Sequence, residues 1–330
     1  MHAATYTTFG PAADVITLSE LPDQAPEAGE VRIKIAFSGV NPSDVKARAG
    51  SRPGVTKPPF PVICPHSDGS GIITSVGAGV DTARIGEQVW IWNGQWQRPF
   101  GTAATHINLP AIQAVPLPKD VPLEAGASLG IPGLTAAHVV FGGGDVRGQT
   151  ILIHGGNGSV GHLAVQLAKW GGARVITTSS PSGFARAQAA GADIALDYKS
   201  EKLAQDIAKA ADGAPIDRIV DVEFGENITV NADVIAPSGT LAVYGSAKNM
   251  TPELPFGSLL FKAVKIDIAL IYILPPEERQ RAIKKLHAAL SAAALSCPVA
   301  QTYRLADIPR AHEAVESGQR QGAILVAPDK

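Results

Sequence analysis

At 330 residues the chain is long enough for two domains with sizeable cores, and 45% hydrophobic with 18% charged residues is an ordinary globular balance. A formal net charge of −2 gives no basis for a nucleic-acid partner, and the longest apolar run, Ile268 to Leu274, is far too short to span a bilayer. Two cysteines, Cys64 and Cys297, exclude a disulfide framework and a four-cysteine zinc site; with no secretory leader visible after Met1, the expectation is a soluble cytoplasmic protein that binds neither nucleic acid nor membrane.

In chain order, residues 1–124 are rich in proline and glycine and show short β-like segments. Val15–Leu18 and Val31–Ile35 flank a turn at Pro26–Glu30, and Gly71–Gly77 and Gln88–Trp92 predict further strands. A turn of helix is expected over Ser43–Arg48, capped by Ser43 or Asn41. A mostly β domain follows from this pattern.

The next region alternates strand and helix. Predicted strands are Ile151–Ile153, Arg174–Thr178, Ile194–Asp197, Arg218–Val222, Thr240–Val243 and Lys265–Ile271; predicted helices are His162–Trp170, Gly183–Ala190, Lys202–Ala211, Asn227–Ile235 and Gly257–Phe261. Between the first strand and first helix stands Gly155-Gly156-Asn157-Gly158-Ser159-Val160-Gly161, in which Gly156, Gly158 and Gly161 satisfy G-x-G-x-x-G. The first glycine permits the tight turn, the second lets backbone approach a pyrophosphate, and the third lets helix pack closely on strand. Amides at Ser159 and Val160 would then face phosphate. The expected fold is α/β, a doubly wound parallel Rossmann sheet over 125–272, beside a mostly β domain over 1–124 and 273–330.

Gly39-Val40-Asn41-Pro42-Ser43-Asp44, Asp68 to Gly77, Gly130-Ile131-Pro132-Gly133-Leu134-Thr135-Ala136 and the glycine turn follow one another in an order that resembles the medium-chain dehydrogenase/reductase superfamily. "GVNPSD" and "GIPGLTA" are similar to its zinc-free quinone oxidoreductase, zeta-crystallin-like branch. The resemblance runs to Arg304–Gly322 and implies a GroES-like catalytic domain for the β-rich part. Where zinc-dependent relatives place three ligands, this chain has Asn41, Ser67 and Ile131, none of which coordinates zinc well. Cys64 and His66 lie out of register with those positions, and no metal is expected.

An Asp or Glu at the end of the second strand would bind the adenosine ribose and repel a 2′-phosphate. The chain instead has Ser179 and Ser180 there, with Arg186 in the following helix, and the resemblance adds Tyr198 after the third strand. NADPH is therefore the expected cofactor, although a lysine that some relatives carry in the loop is replaced near Gly183. The resemblance also places Gly245 and Ser246 at the nicotinamide, with Asn41 and Thr135 lining the pocket; Thr135 as a helix-start cap is the plainer alternative. Lys46 stands where relatives often have tyrosine, and a cation there would stabilise negative charge on a reducing carbonyl, unless it points to solvent. Trp96, on the loop after Trp90 and Trp92, is the tryptophan with a chance of touching substrate. Last, the apolar edge run 265–272 predicts a homodimer joined strand to strand. The expected activity is hydride transfer from NADPH to a quinone, without zinc. An enone or enal double-bond reductase and a non-catalytic NADPH-binding redox sensor are the alternatives.

Overall fold

A computed structural model describes residues 1–51 and 54–329. The chain divides into two compact units, one formed by Met1–Ile131 with Cys297–Lys330, the other by Pro132–Ser296. Among the described residues, no helix is long and apolar enough to cross a membrane.

The second unit holds a six-stranded sheet whose pairs are all parallel. Across it the strands run Ile194–Asp197, Arg174–Ser179, Thr150–His154, Ile216–Asp221, Ile235–Val243, Lys265–Ile268. Numbered by sequence this is the 3-2-1-4-5-6 order of a dinucleotide-binding sheet, whose switch point falls beside Thr150–His154. The central strands are continuous apolar runs because helices cover both faces: Leu152, Ile176, Ile219 and Leu241 sit in one core with Leu203, Ile207, Ile228 and Leu259. Each branched aliphatic buried there contributes about 1.5–3 kcal/mol relative to exposure. The edge strand stops at Ile268, three residues short of expectation, and the chain turns through Ile271–Ile273.

In the first unit, Val31, Ile33 and Ile35 alternate inward along the long strand Glu30–Val40 and meet Ile73, Val89, Ile91, Ile107 and Leu109. This strand pairs antiparallel with Asp68–Val76, His106–Pro110 and Ala323–Ala327. The C-terminal return adds strand Val299–Arg304, helix Ile308–Glu316 and strand Ala323–Ala327, so the chain begins and ends in one unit. The boundaries differ from expectation on both sides. Residues 125–131 stay with the first unit, and 273–296 stay with the second. Helix Pro276–Ser291 packs on Leu134–Phe141, burying Ala282, Ile283, Leu286, Ala289 and Leu290, with the Lys285 ammonium 4.6 Å from the Phe141 ring centroid.

Candidate functional site

In the second unit the glycine turn is built by steric exclusion. Gly155 adopts φ +74°, and its amide and that of Gly156 both donate to the Thr178 carbonyl at 2.9 and 3.1 Å. A Cβ on Gly156 would lie 2.0 Å from Thr177 Oγ1, and one on Gly161 would lie 2.1 Å from the Gly155 carbonyl oxygen. Neither position admits a side chain. Gly158 is extended and begins the helix Ser159–Trp170 with no side-chain cap. The first-turn amides at Ser159 and Val160 have no carbonyl of their own helix to bond, which makes the turn an anion-binding end.

Beside this turn, the Asn157 side chain fills the space above Gly183, where a Cβ would come within 2.7 Å of Asn157 Nδ2. Any longer residue at 183, lysine included, meets that amide. Asn157 Oδ1 is buried with no hydrogen-bond partner among the described residues. Arg186 Nη1 donates to the Asn157 carbonyl at 3.4 Å, so its guanidinium leans to the glycine turn. Burial, with the Arg186 charge nearby, draws His162 down to about 4.

Ser179, Ser180 and Tyr198 come together at the strand ends. The Tyr198 amide donates to the Ser179 carbonyl at 3.2 Å, Ser179 Oγ donates to the Ser180 carbonyl at 3.0 Å, and Ser180 and Ser182 share a hydroxyl contact of 3.0 Å. Tyr198 is 47% exposed, open to a ligand. Asp197, register partner of Ser179, turns its carboxylate to the Lys199 amide at 3.0 Å. Gly245 has no room for a Cβ, which would lie 2.5 Å from the Val222 carbonyl oxygen. Ser246 accepts from the Gly225 amide at 2.9 Å and donates to the Asn249 carbonyl, so its hydroxyl clasps its own loop. Thr135 is buried inside helix Leu134–Phe141 and does not cap it; Gly133 does, after a π-helical turn over Leu129–Gly133.

Beneath the turn lies a polar chain that no sequence motif announces. His154 bonds Thr178 Oγ1 at 3.0 Å and Asn231 Oδ1 at 2.9 Å, and the Asn231 amide donates to buried Asp221 at 2.6 Å. Because Asn231 Oδ1 only accepts, His154 carries a proton on Nε2.

In the first unit, Asn41 caps helix Pro42–Ala49, and its backbone N–H donates to the Asp44 carboxylate at 2.8 Å. The Asn41 side chain donates to Asp68 Oδ2 at 2.8 Å, while the Ile131 amide donates to both Asp68 oxygens at 2.8 and 2.9 Å. Burial pushes the Asp68 carboxyl well above its ordinary range, against the pull of the Ile131 and Asn41 donors. Lys46 is exposed on the helix, whereas Arg48 is buried and donates to Glu316 and the Gly10 carbonyl. Trp90 is fully buried and Trp96 half-buried. His66, which tempts a metal reading, has both ring nitrogens engaged by Ser38 and His312, on a backbone at φ +76° that costs a side-chain-bearing residue about 1–2 kcal/mol. Among the described residues, no group of three or more His, Cys, Asp or Glu is placed to hold a metal ion.

A model of the alcohol dehydrogenase GroES-like domain matches residues 27–119, and one of the zinc-binding dehydrogenase family matches residues 159–288. The chain is 26% identical to the quinone oxidoreductase of Rattus norvegicus over 331 residues, 99% of this chain and 97% of that one. Mycobacterial Rv1454c complexed with NADPH superposes at a TM-score of 0.86 and 29% identity, with 99% and 100% of the two chains covered. The chain belongs to the medium-chain dehydrogenase/reductase superfamily. As a member it is an oxidoreductase similar to the quinone oxidoreductases. It is also 27% identical over 322 residues to a phenolphthiocerol/phthiocerol polyketide synthase protein of Mycobacterium tuberculosis; the alignment takes in 95% of this chain and spans 14% of that protein's length. At the three positions that the resemblance sets against zinc ligands, the Asn41 side-chain amide is bonded to Asp68, Ser67 is a hydroxyl, and Ile131 contributes only its backbone N–H.

Proposed function

We propose that this protein is an NADPH-dependent, zinc-independent reductase acting on quinones. The observation that carries the cofactor is the pairing of an uncapped turn at Gly156–Gly161, with no room for a side chain at Gly156 or Gly161, with the Ser179 and Ser180 hydroxyls and the exposed Tyr198 that follows them in register. The residues fit the group. Gly156, Asn157, Gly158, Ser159, Val160 and Gly161 would hold the diphosphate, with Arg186 leaning over the turn as its countercharge. Ser179, Ser180 and Tyr198 would hold the 2′-phosphate, and Gly245 would offer backbone to the nicotinamide. Bound there, NADPH supplies a hydride.

The protein's own part is to position the acceptor and exclude water. Asn41, oriented by Asp68, offers its remaining side-chain N–H to an acceptor oxygen. Thr135 completes the proposed reacting set, and Lys46, exposed on its helix, would have to turn from solvent to serve as the cation for charge developing on that oxygen. Without a Lewis acid the acceptor must be one whose reduced form is already stabilised, as a hydroquinone is. A homodimer joined through the edge strand is part of this proposal.

Purified protein supplied with NADPH should reduce a naphthoquinone faster than a short enal, and metal analysis should find no stoichiometric zinc. Faster turnover of the enal would move the assignment to activated alkenes. Absence of both turnovers together with stoichiometric zinc would overturn it.

A further inference from the structure

We propose that Ser38, Thr102, His66 and His312 form a positioning relay that holds the Asn41–Asp68 pair from behind, resting on the assignment of Asn41 to the reacting end. All four side chains are fully buried in the first unit. Thr102 Oγ1 donates to the Asp68 carbonyl at 2.6 Å. A hydroxyl has one proton, so Thr102 must accept from Ser38 at 2.8 Å. Ser38 has then placed its own proton and must accept from His66 Nδ1, also at 2.8 Å. Burial, with His312 alongside, keeps His66 neutral, which leaves its Nε2 bare to accept from His312 Nε2 at 2.9 Å. The direction of every hydrogen bond is thereby set from one backbone carbonyl outward.

The same logic excludes a proton wire. The chain ends on a carbonyl oxygen, which has no proton to pass on, and its far end is the buried His312 Nδ1, unpartnered among the described residues. What the chain transmits is position. Its strained link is His66, whose left-handed backbone is over-determined by its neighbours: the Thr102 amide donates to the His66 carbonyl at 3.0 Å, and Gly101 packs where a Cβ would lie 2.1 Å from that carbonyl oxygen. His312 stands on helix Ile308–Glu316, and Arg48, from the helix that Asn41 caps, donates to Glu316 on that same helix. Asn41 is thus held to the C-terminal helix by two routes, through its own helix and through its side chain's partner Asp68.

The test uses the whole protein with NADPH, assaying His312→Leu, which removes the donor, His312→Gln, which keeps an N–H, and Ser38→Ala. Measured are the NADPH dissociation constant, the thermal midpoint, and kcat for a naphthoquinone per NADPH-binding site. In His312→Leu and Ser38→Ala, kcat per site should fall by about tenfold or more, up to the roughly hundredfold that misplacing a reacting group by about 1 Å costs. NADPH affinity should hold, and His312→Gln should recover most of the rate. A role in folding alone would lower the midpoint and the number of competent sites while leaving kcat per site unchanged in His312→Leu and Ser38→Ala, and that result would overturn the proposal. Asn41→Ala is the separate control: wild-type turnover in that variant would refute the assignment of the reacting end, whatever the relay variants do.

Discussion

Asn41 and Ser180 show how far single residues can be read. Asn41 stands in a recognisable motif, and the resemblance that the motif carries is what proposes it for the pocket. Asp68 and His66 are another matter, because Ser38, Thr102 and His312 reach them only through space. No periodicity or spacing relates residues 38, 66, 102 and 312. In the proposed 2′-phosphate site, Ser180 is half-buried with its hydroxyl against Ser182, and the Asp197 carboxylate is held to the Lys199 amide. Ser180→Asp should therefore put a like charge beside the 2′-phosphate. The ratio of kcat/KM for NADPH over NADH is expected to fall at least about tenfold, equivalent to about 1.4 kcal/mol. An unchanged ratio would mean that these hydroxyls do not contact the phosphate.

Among elements, the turn from strand Thr150–His154 to helix Ser159–Trp170 is the most legible, since only glycine tolerates a backbone so close that a Cβ on Gly161 would sit 2.1 Å from the Gly155 carbonyl oxygen. Gly161→Ala must push the helix off the turn. It should cost about 1–3 kcal/mol of stability as overpacking and raise the NADPH dissociation constant, measured by chemical unfolding and fluorescence titration. The strand Lys265–Ile268 makes a different case. Its side chains stay largely open, with Ile268 75% exposed and Phe261 91% exposed nearby. An apolar edge of this kind invites a partner strand. Ile268→Lys should shift the proposed homodimer to monomer in sedimentation; an unchanged mass would place the dimer interface elsewhere. The helix Pro276–Ser291 is amphipathic in sequence and in structure, yet its apolar stripe does not say which unit it covers.

At the scale of the molecule, buried histidines govern the response to acid. His312 is drawn down to about 3 and His162 to about 4, both chiefly by burial, and burial lowers His66 in the same direction. Unfolding returns each to its ordinary value of 6.5, so below that pH the unfolded chain binds more protons than the folded one. Their contribution to stability is complete above 6.5 and is lost as pH falls towards those folded values. Asp68, raised by burial, has the opposite sign, and its contribution is lost as pH rises above the ordinary carboxyl range, opposing the histidines. Calorimetry should show the thermal midpoint dropping between about pH 7 and about pH 5, with net proton uptake on unfolding at about 1.4 kcal/mol per pH unit for each proton. A midpoint that rises on acidification would contradict this balance. By itself the sequence determined the doubly wound sheet, its alternation of strand and helix, the glycine turn and the absence of a cysteine framework, because those follow from composition, local periodicity and glycine's missing Cβ. Tertiary structure alone decided which unit receives residues 273–296, where Arg186 and Ser246 direct their polar groups, and how His66 is used. Those outcomes depend on contacts between residues far apart in the chain, where packing and hydrogen-bond satisfaction choose among partners that local sequence leaves equivalent.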